Sequence, residues 1–303
     1  MTAPSPIRTS DPAAHSVTTA DGLRLHVAEY GRRGSDAMPV VCLPGLARTT
    51  ADFDALARAL ASDPHTPRRV LALDYRGRGR SERDPNPDNY TLPTELADLI
   101  TVLTAFAVHR AVFVGTSRGG LLTMLLAAAQ PTRIAGVVLN DIGPVIEPLG
   151  LMRIKGYVGK LPQPRDLDDG ATILRRLFET QFPKLTPEGW RGFAERTWVR
   201  EGEQLALSYD PQLSRTLRGI EAGQPVPALW PQFDALAGVP MLVIRGLLSD
   251  ILSADTVSAM RSRRKRLDVM EIPDEGHAPS LDSETVITRI AAFIRGCDEP
   301  RRA

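Results

Sequence analysis

The sequence predicts an α/β protein whose mostly parallel sheet is covered by helices. Three observations carry this reading. Five short apolar runs (PVVCL, RVLALD, AVFVG, IAGVVLN and MLVIR) alternate with stretches of helical period. The runs are apolar throughout instead of alternating with polar residues, as in strands buried on both faces. The chain has 303 residues, 43% hydrophobic and 24% charged, enough to bury a large core. That composition excludes disordered, collagen-like and small disulfide-stapled proteins.

In chain order, residues 1–14 are rich in Pro, Ser and Ala and read as a loose tail. Ser16–Thr19 and Leu23–Tyr30 alternate around Ala20-Asp21-Gly22, a hairpin signal that adds antiparallel strands at one sheet edge. Pro39–Leu43 is a buried strand, and Asp52–Ala61 is a helix with Phe53, Leu56, Ala57 and Leu60 on one side. Arg69–Asp74 is a strand, and Pro93–Phe106 is a helix with proline at its start, where a missing N–H costs least. Ala111–Gly115 and Ile134–Asn140 are strands flanking the helix Ser117–Gln130, which Pro131 closes. Met241–Arg245, Ala254–Arg264, Arg266–Ile272 and Ser283–Arg295 read as strand, helix, strand, helix.

The interval 145–238 differs. It lacks strand-like runs, has helical stretches at Thr172–Thr180 and Gly189–Trp198, and holds all three tryptophans, Trp190, Trp198 and Trp230. It reads as an inserted helical subdomain. Residues 15–144 and 239–297 then form one discontinuous domain.

The function classes narrow quickly. A net charge of +1 gives no overall pull toward nucleic acid or an anionic membrane. The basic run Arg261–Arg266 falls at a predicted helix end, where cations favour the dipole, and reads as a solvated helix end. Cys42 and Cys297 form neither a disulfide framework nor a metal spacing. No stretch of about 18 apolar residues spans a membrane, and the N-terminus lacks the apolar region of a secretory signal. A cytoplasmic protein, monomeric or homodimeric, is expected.

The chemistry concentrates at Gly115-Thr116-Ser117-Arg118-Gly119, a G-x-S-x-G pattern between a strand and a helix. A serine on so sharp a turn needs small residues two before and two after. The turn lifts its hydroxyl to the carboxyl end of the sheet above a helix N-terminus. A serine needs a base and an orienting acid to become a nucleophile. Of five histidines, His277 is the one that follows a predicted strand, in the loop IPDEGHAP. Asp250 follows the strand MLVIR and completes the chain order Ser, Asp, His. Asp141, just after IAGVVLN, is the competing acid. Asp250 is preferred because its loop ends one strand before that of His277. The N–H of Arg118 and the N–H of Leu46, in the loop after PVVCL, are the expected oxyanion donors.

These motifs resemble the α/β-hydrolase superfamily over most of residues 15–295. PVVCLPGLARTTADF is similar to its oxyanion loop, VLALDYRGRGRSERDP to its Gly/Arg/Ser loop and VFVGTSRGG to its nucleophile elbow. LVIRGLLSDIL resembles the acid loop, EGHAPSLD the histidine loop, and 145–238 the variable helical cap. Two departures stand out: Pro44-Gly45 replaces the usual His-Gly, and Arg118 replaces a residue that is more often apolar. A nucleophilic serine argues against the dehalogenase and epoxide hydrolase branches, which use aspartate there.

The resemblance implies a serine hydrolase of a small carboxylic ester or lactone, without metal or organic cofactor. A hydrolase of C–C bonds in diketone-like compounds and a non-hydrolytic ligand-binding relative are the alternatives. Arg48 and Arg118 are placed to pair with a substrate carboxylate or to form salt bridges within the fold. Trp190 and Trp198 either line an apolar pocket or pack the inserted helices together.

Overall fold

A computed structural model of the chain describes residues 11–221, 224, 226–264 and 266–298. The expected tail at 1–14 lies outside these residues up to position 10, and Lys265 of the basic run lies outside them too.

The elements, in order, are β1 (Ala13–Thr18), β2 (Arg24–Tyr30), β3 (Val40–Leu43), α1 (Asp54–Ala61), β4 (Val70–Leu73), α2 (Leu92–Ala105), β5 (Ala111–Thr116), α3 (Arg118–Ala129) and β6 (Ile134–Asn140). There follow α4 (Pro148–Tyr157), α5 (Leu167–Phe178), α6 (Pro187–Thr197), β7 (Trp198–Glu201), β8 (Gln204–Leu207) and α7 (Trp230–Asp234). The chain closes with β9 (Met241–Gly246), α8 (Ala254–Arg263), β10 (Leu267–Ile272) and α9 (Glu284–Gly296).

Eight strands form one sheet in the order β1-β2-β4-β3-β5-β6-β9-β10. From β4 to β10 every neighbouring pair is parallel, and the β1–β2 hairpin adds its antiparallel strands at one edge. Because side chains alternate across a strand, each parallel strand feeds two cores. Val41, Phe113 and Val243 face one layer, packed with Leu99 of α2, Leu122 of α3 and Met260 of α8. Val40, Val112 and Leu242 face the other, packed with Leu56 of α1 and Ile290 of α9.

Helix starts follow capping chemistry. Thr91, Ser253 and Ser283 accept backbone N–H bonds at the starts of α2, α8 and α9, and proline stands in the first turn of α2, α4, α6 and α7. The expected helix from Asp52 begins as a 3-10 turn, Thr50–Phe53, before α1.

The segment between β6 and β9 carries α4–α7 and is not purely helical. β7 and β8 form an antiparallel hairpin that the sequence does not announce, because three of the four residues of β7 are exposed and leave no apolar run. The hairpin leads the chain back to the loop after β4, where Gly79 N–H donates to the Ser208 carbonyl at 2.7 Å and Asp210 N–H to the Gly77 carbonyl at 2.7 Å. Tyr90 adds a buried bond to Asp210 Oδ2 at 2.6 Å. The end of α8 is also less solvated than expected. Arg264 is buried and donates to the Val239 carbonyl at 2.6 Å, and Arg263 stacks over Trp230 at 4.3 Å.

The register sets the stage for chemistry. Leu43 lies beside Gly115, Thr116 beside Asn140, Asn140 beside Ile244 and Ile272 beside Gly246, so the carboxyl ends of β3, β5, β6, β9 and β10 share one sheet edge. Loops at this edge are where open α/β sheets place their ligands.

Candidate active site

Ser117 stands between β5 and α3 with φ +50°, a left-handed conformation that costs a non-glycine residue of order 1 kcal/mol or more. Its neighbours explain why the turn tolerates no side chain there. A Cβ on Gly115 would stand 2.5 Å from the Gly120 nitrogen, and one on Gly119 would stand 2.0 Å from the Leu43 carbonyl oxygen. The serine N–H is held by the Asn140 carbonyl at 3.0 Å.

His277 comes from the loop after β10 and meets the serine, with Nε2 2.9 Å from Ser117 Oγ. Its Nδ1 lies 2.8 Å from Asp141 Oδ2. That distance requires a correction. The acid facing the histidine is Asp141, not Asp250. Asp141 directly follows β6, takes φ +54° and turns its carboxylate under the imidazole. Fully buried, it also accepts from Gly246 N–H at 3.0 Å and from Ser249 Oγ at 2.5 Å. Asp250 follows the end of β9 by four residues and turns away, accepting from Arg153 Nε and Nη2 at 2.6 and 2.8 Å. The loop after β9 thus supports the relay through Ser249 and anchors α4 through Asp250.

The loop after β3 passes close to the serine. A Cβ on Gly45 would lie 3.8 Å from Ser117 Cβ. Leu46 lines the same cavity, and Arg118, as first residue of α3, has an N–H outside the helical ladder. Among the described residues nothing accepts a hydrogen bond from either N–H.

Ser117 and His277 open into a cavity of about 640 Å³, a size suited to small molecules. Tyr157, Leu161, Leu174, Phe178, Phe182 and Phe193 of the inserted segment give it an apolar wall. Arg48, Lys184, Arg196, Asp52, Glu188 and Asp282 also line it and bring both signs of charge. Glu275 also lines it, and burial pushes that carboxyl above its ordinary value although it accepts from Ser280 N–H.

The other expected contacts divide. Arg48 lines the cavity, but its guanidinium is already committed to Asp52 at 2.5 and 2.7 Å and to Thr197 Oγ1 at 3.1 Å, and it stacks on Phe193 at 4.7 Å. The Arg118 side chain turns inward to Glu95 and does not line the cavity. Trp190 and Trp198 do not line the cavity. They are buried with Phe178, Ala194 and Leu205 in the core of the inserted segment, because their bulk fills the space between α5, α6 and the hairpin.

One contact had no sequence signal. Gln181, after α5, accepts from the His277 backbone N–H at 2.9 Å and so ties the inserted segment to the histidine loop. Among the described residues no group of three His, Cys, Asp or Glu side chains is placed to hold a metal ion, and no helix is long and apolar enough to cross a membrane.

Comparison with known proteins agrees with this architecture. The alpha/beta hydrolase family model matches residues 40–289. The 3-hydroxybutyrate-oligomer hydrolase of Cupriavidus necator is 35% identical over 283 residues, covering 90% of this chain and 94% of that protein. An sn-1-specific diacylglycerol lipase of Danio rerio is 26% identical, covering 92% and 85%. A crystal structure of an alpha/beta hydrolase from Novosphingobium aromaticivorans superposes with a TM-score of 0.87 at 40% identity, covering 94% of this chain and 99% of that one.

Proposed function

The chain belongs to the alpha/beta hydrolase family, and from that premise we propose that it is a serine hydrolase cleaving a carboxylic ester of a small molecule. The observation that carries the reading is the Asp141–His277–Ser117 relay, with contacts of 2.8 and 2.9 Å, on the floor of an apolar cavity.

The steps follow from the geometry. His277 Nε2 accepts the Ser117 proton as Oγ attacks the ester carbonyl, and Asp141 stabilises the imidazolium through Nδ1–H. The carbonyl oxygen becomes an oxyanion held by the Leu46 and Arg118 N–H groups. The imidazolium returns its proton to the departing alkoxide, leaving an acyl group on Ser117. Water, deprotonated by His277, then attacks the acyl carbon, the acyl–Oγ bond breaks as the imidazolium returns the proton to Ser117 Oγ, and the acid is freed. Main-chain donors, the relay and water suffice for every step. The inserted segment acts as a cap whose apolar wall takes the acyl or alcohol chain. An ester is preferred to a C–C bond because the relatives named above include a hydrolase of 3-hydroxybutyrate oligomers, whose units join hydroxyl to carboxyl, and a lipase.

The test is a panel of p-nitrophenyl acetate and butyrate, a 3-hydroxybutyrate dimer and a lactone, run on wild type and Ser117→Ala. Wild type turns over at least one ester, and Ser117→Ala loses roughly 10³-fold or more in kcat/KM. Ester turnover that survives the substitution rejects the reading.

A further inference from the structure

The proposed oxyanion donors sit on separate elements, Leu46 on the loop after β3 and Arg118 at the start of α3. A buried ionic network joins the two. Arg78 donates from Nε to the Leu46 carbonyl at 2.8 Å and from Nη1 to the Arg76 carbonyl at 2.7 Å. Its Nη1 also lies 2.7 Å from Glu95 Oε1. Glu95, on α2, places Oε2 2.5 Å from Arg118 Nε. The side chains of Arg78 and Glu95 are 0% exposed and that of Arg118 is 11% exposed.

Two cations on one carboxylate, away from water, is an expensive arrangement. Burial pushes the Glu95 carboxyl up, but the Arg118 and Arg78 charges outweigh it and hold it below its ordinary value. Burial draws Arg78 down. Apolar residues of similar volume often stabilise a fold as well as such a triad does. What they lack is reach. The network runs from the Leu46 carbonyl, one peptide unit beyond the Leu46 N–H, to the side chain of the residue whose N–H is the other donor. Glu95 itself does not line the cavity.

Resting on the serine hydrolase reading above, we propose that Glu95 is a positioning residue that fixes, through Arg78 and Arg118, both backbone donors of the oxyanion hole. Oxyanion stabilisation depends on donors preorganised at the place where charge develops, and a displacement of the order of 1 Å is costly. The network therefore acts on the transition state and leaves ground-state binding nearly untouched.

The test compares wild type, Glu95→Gln and Arg118→Met on p-nitrophenyl butyrate. Each is also titrated with an alkyl trifluoromethyl ketone, whose serine adduct carries the oxyanion. Assays run well below each variant's Tm. In Glu95→Gln, kcat falls about tenfold or more, KM stays within about twofold, and ketone affinity falls by the same factor as kcat/KM. A folded Glu95→Gln with lower Tm but with kcat and ketone affinity within about twofold of wild type overturns the proposal and makes Glu95 structural only. If Glu95→Gln does not fold, Arg118→Met, which leaves Glu95 paired with Arg78, is judged by the same two numbers. Turnover that survives Ser117→Ala removes the underlying reading. Ser117-dependent turnover with unchanged Glu95→Gln kinetics removes this proposal alone.

Discussion

Asp141 and Asp250 sit on loops at the ends of adjacent strands, yet only Asp141 faces His277. Asp141 turns under His277 at φ +54°, and Asp250 is taken by Arg153. Asp141→Asn should lower kcat/KM by about 10³–10⁴-fold, because the amide no longer stabilises the imidazolium or fixes the ring tautomer. Asp250→Asn should keep kcat within about tenfold while costing about 1–2 kcal/mol, because it leaves Arg153 half-buried without its partner. Steady-state kinetics and urea unfolding of the two variants separate the assignments. Equal catalytic losses in both would reject the role given to Asp141. At this scale legibility depended on local pattern. Ser117 is framed by glycines at fixed spacing and His277 by a loop after a strand, so both were readable. An orienting acid has no local pattern. Its identity rests on a long-range choice, Arg153 capturing one carboxylate and Gly246 and Ser249 receiving the other.

Among elements, the sheet was legible and the inserted segment only in part: α5 and α6 coincide with the expected helical stretches, whereas α4 and the β7–β8 hairpin left no signal. Buried parallel strands must be apolar on both faces, so β3, β5, β6 and β9 appear as runs. In the inserted segment each element is apolar on one side at most. α4 carries Gly150 and Gly156, both weak helix formers, and β7 points three of four residues at solvent. The tryptophans show the consequence. A large aromatic in an irregular segment suggests a pocket wall, but Trp190 stacks on Phe193 with centroids 6.2 Å apart and serves the segment's own core. Trp190→Ala should therefore cost about 3–5 kcal/mol and leave acyl-chain preference within about twofold. Phe178→Ala removes a ring that lines the cavity and should raise the kcat/KM ratio of octanoate to acetate esters by about tenfold. A p-nitrophenyl chain-length series with parallel denaturation distinguishes the two. A shift in preference for Trp190→Ala and none for Phe178→Ala would reverse the assignment of the wall.

For the whole molecule, buried carboxylates set how stability responds to acid. Glu95 is held below its ordinary value of 4.5 in the fold and regains that value when unfolded. Its contribution is full above that value and is lost as pH falls through the depressed one. The stability difference between wild type and Glu95→Gln should thus narrow as pH falls below 4.5. Urea midpoints across that range measure it, and a constant or widening gap contradicts the assigned charge state.

β6 and β9 are direct neighbours, with Val137 beside Met241 and Asn140 beside Ile244. The two strands are parallel, so the chain leaves the sheet at the carboxyl end of β6 and, after its long excursion, re-enters at the amino end of the neighbouring strand, roughly 10 Å back along the strand direction and about 5 Å to the side. Such a junction behaves like a clasp. Lengthening or shortening what hangs from it adds little closure entropy and leaves the strand register alone. On the reading above, nucleophile and acid are encoded before the clasp and the base after it. Segments of other origin, spliced between residues 144 and 239, would inherit the same reaction and meet different molecules. On that reading the architecture is a fixed reactor with an exchangeable inlet, and swapping inlets between relatives should change the substrates turned over.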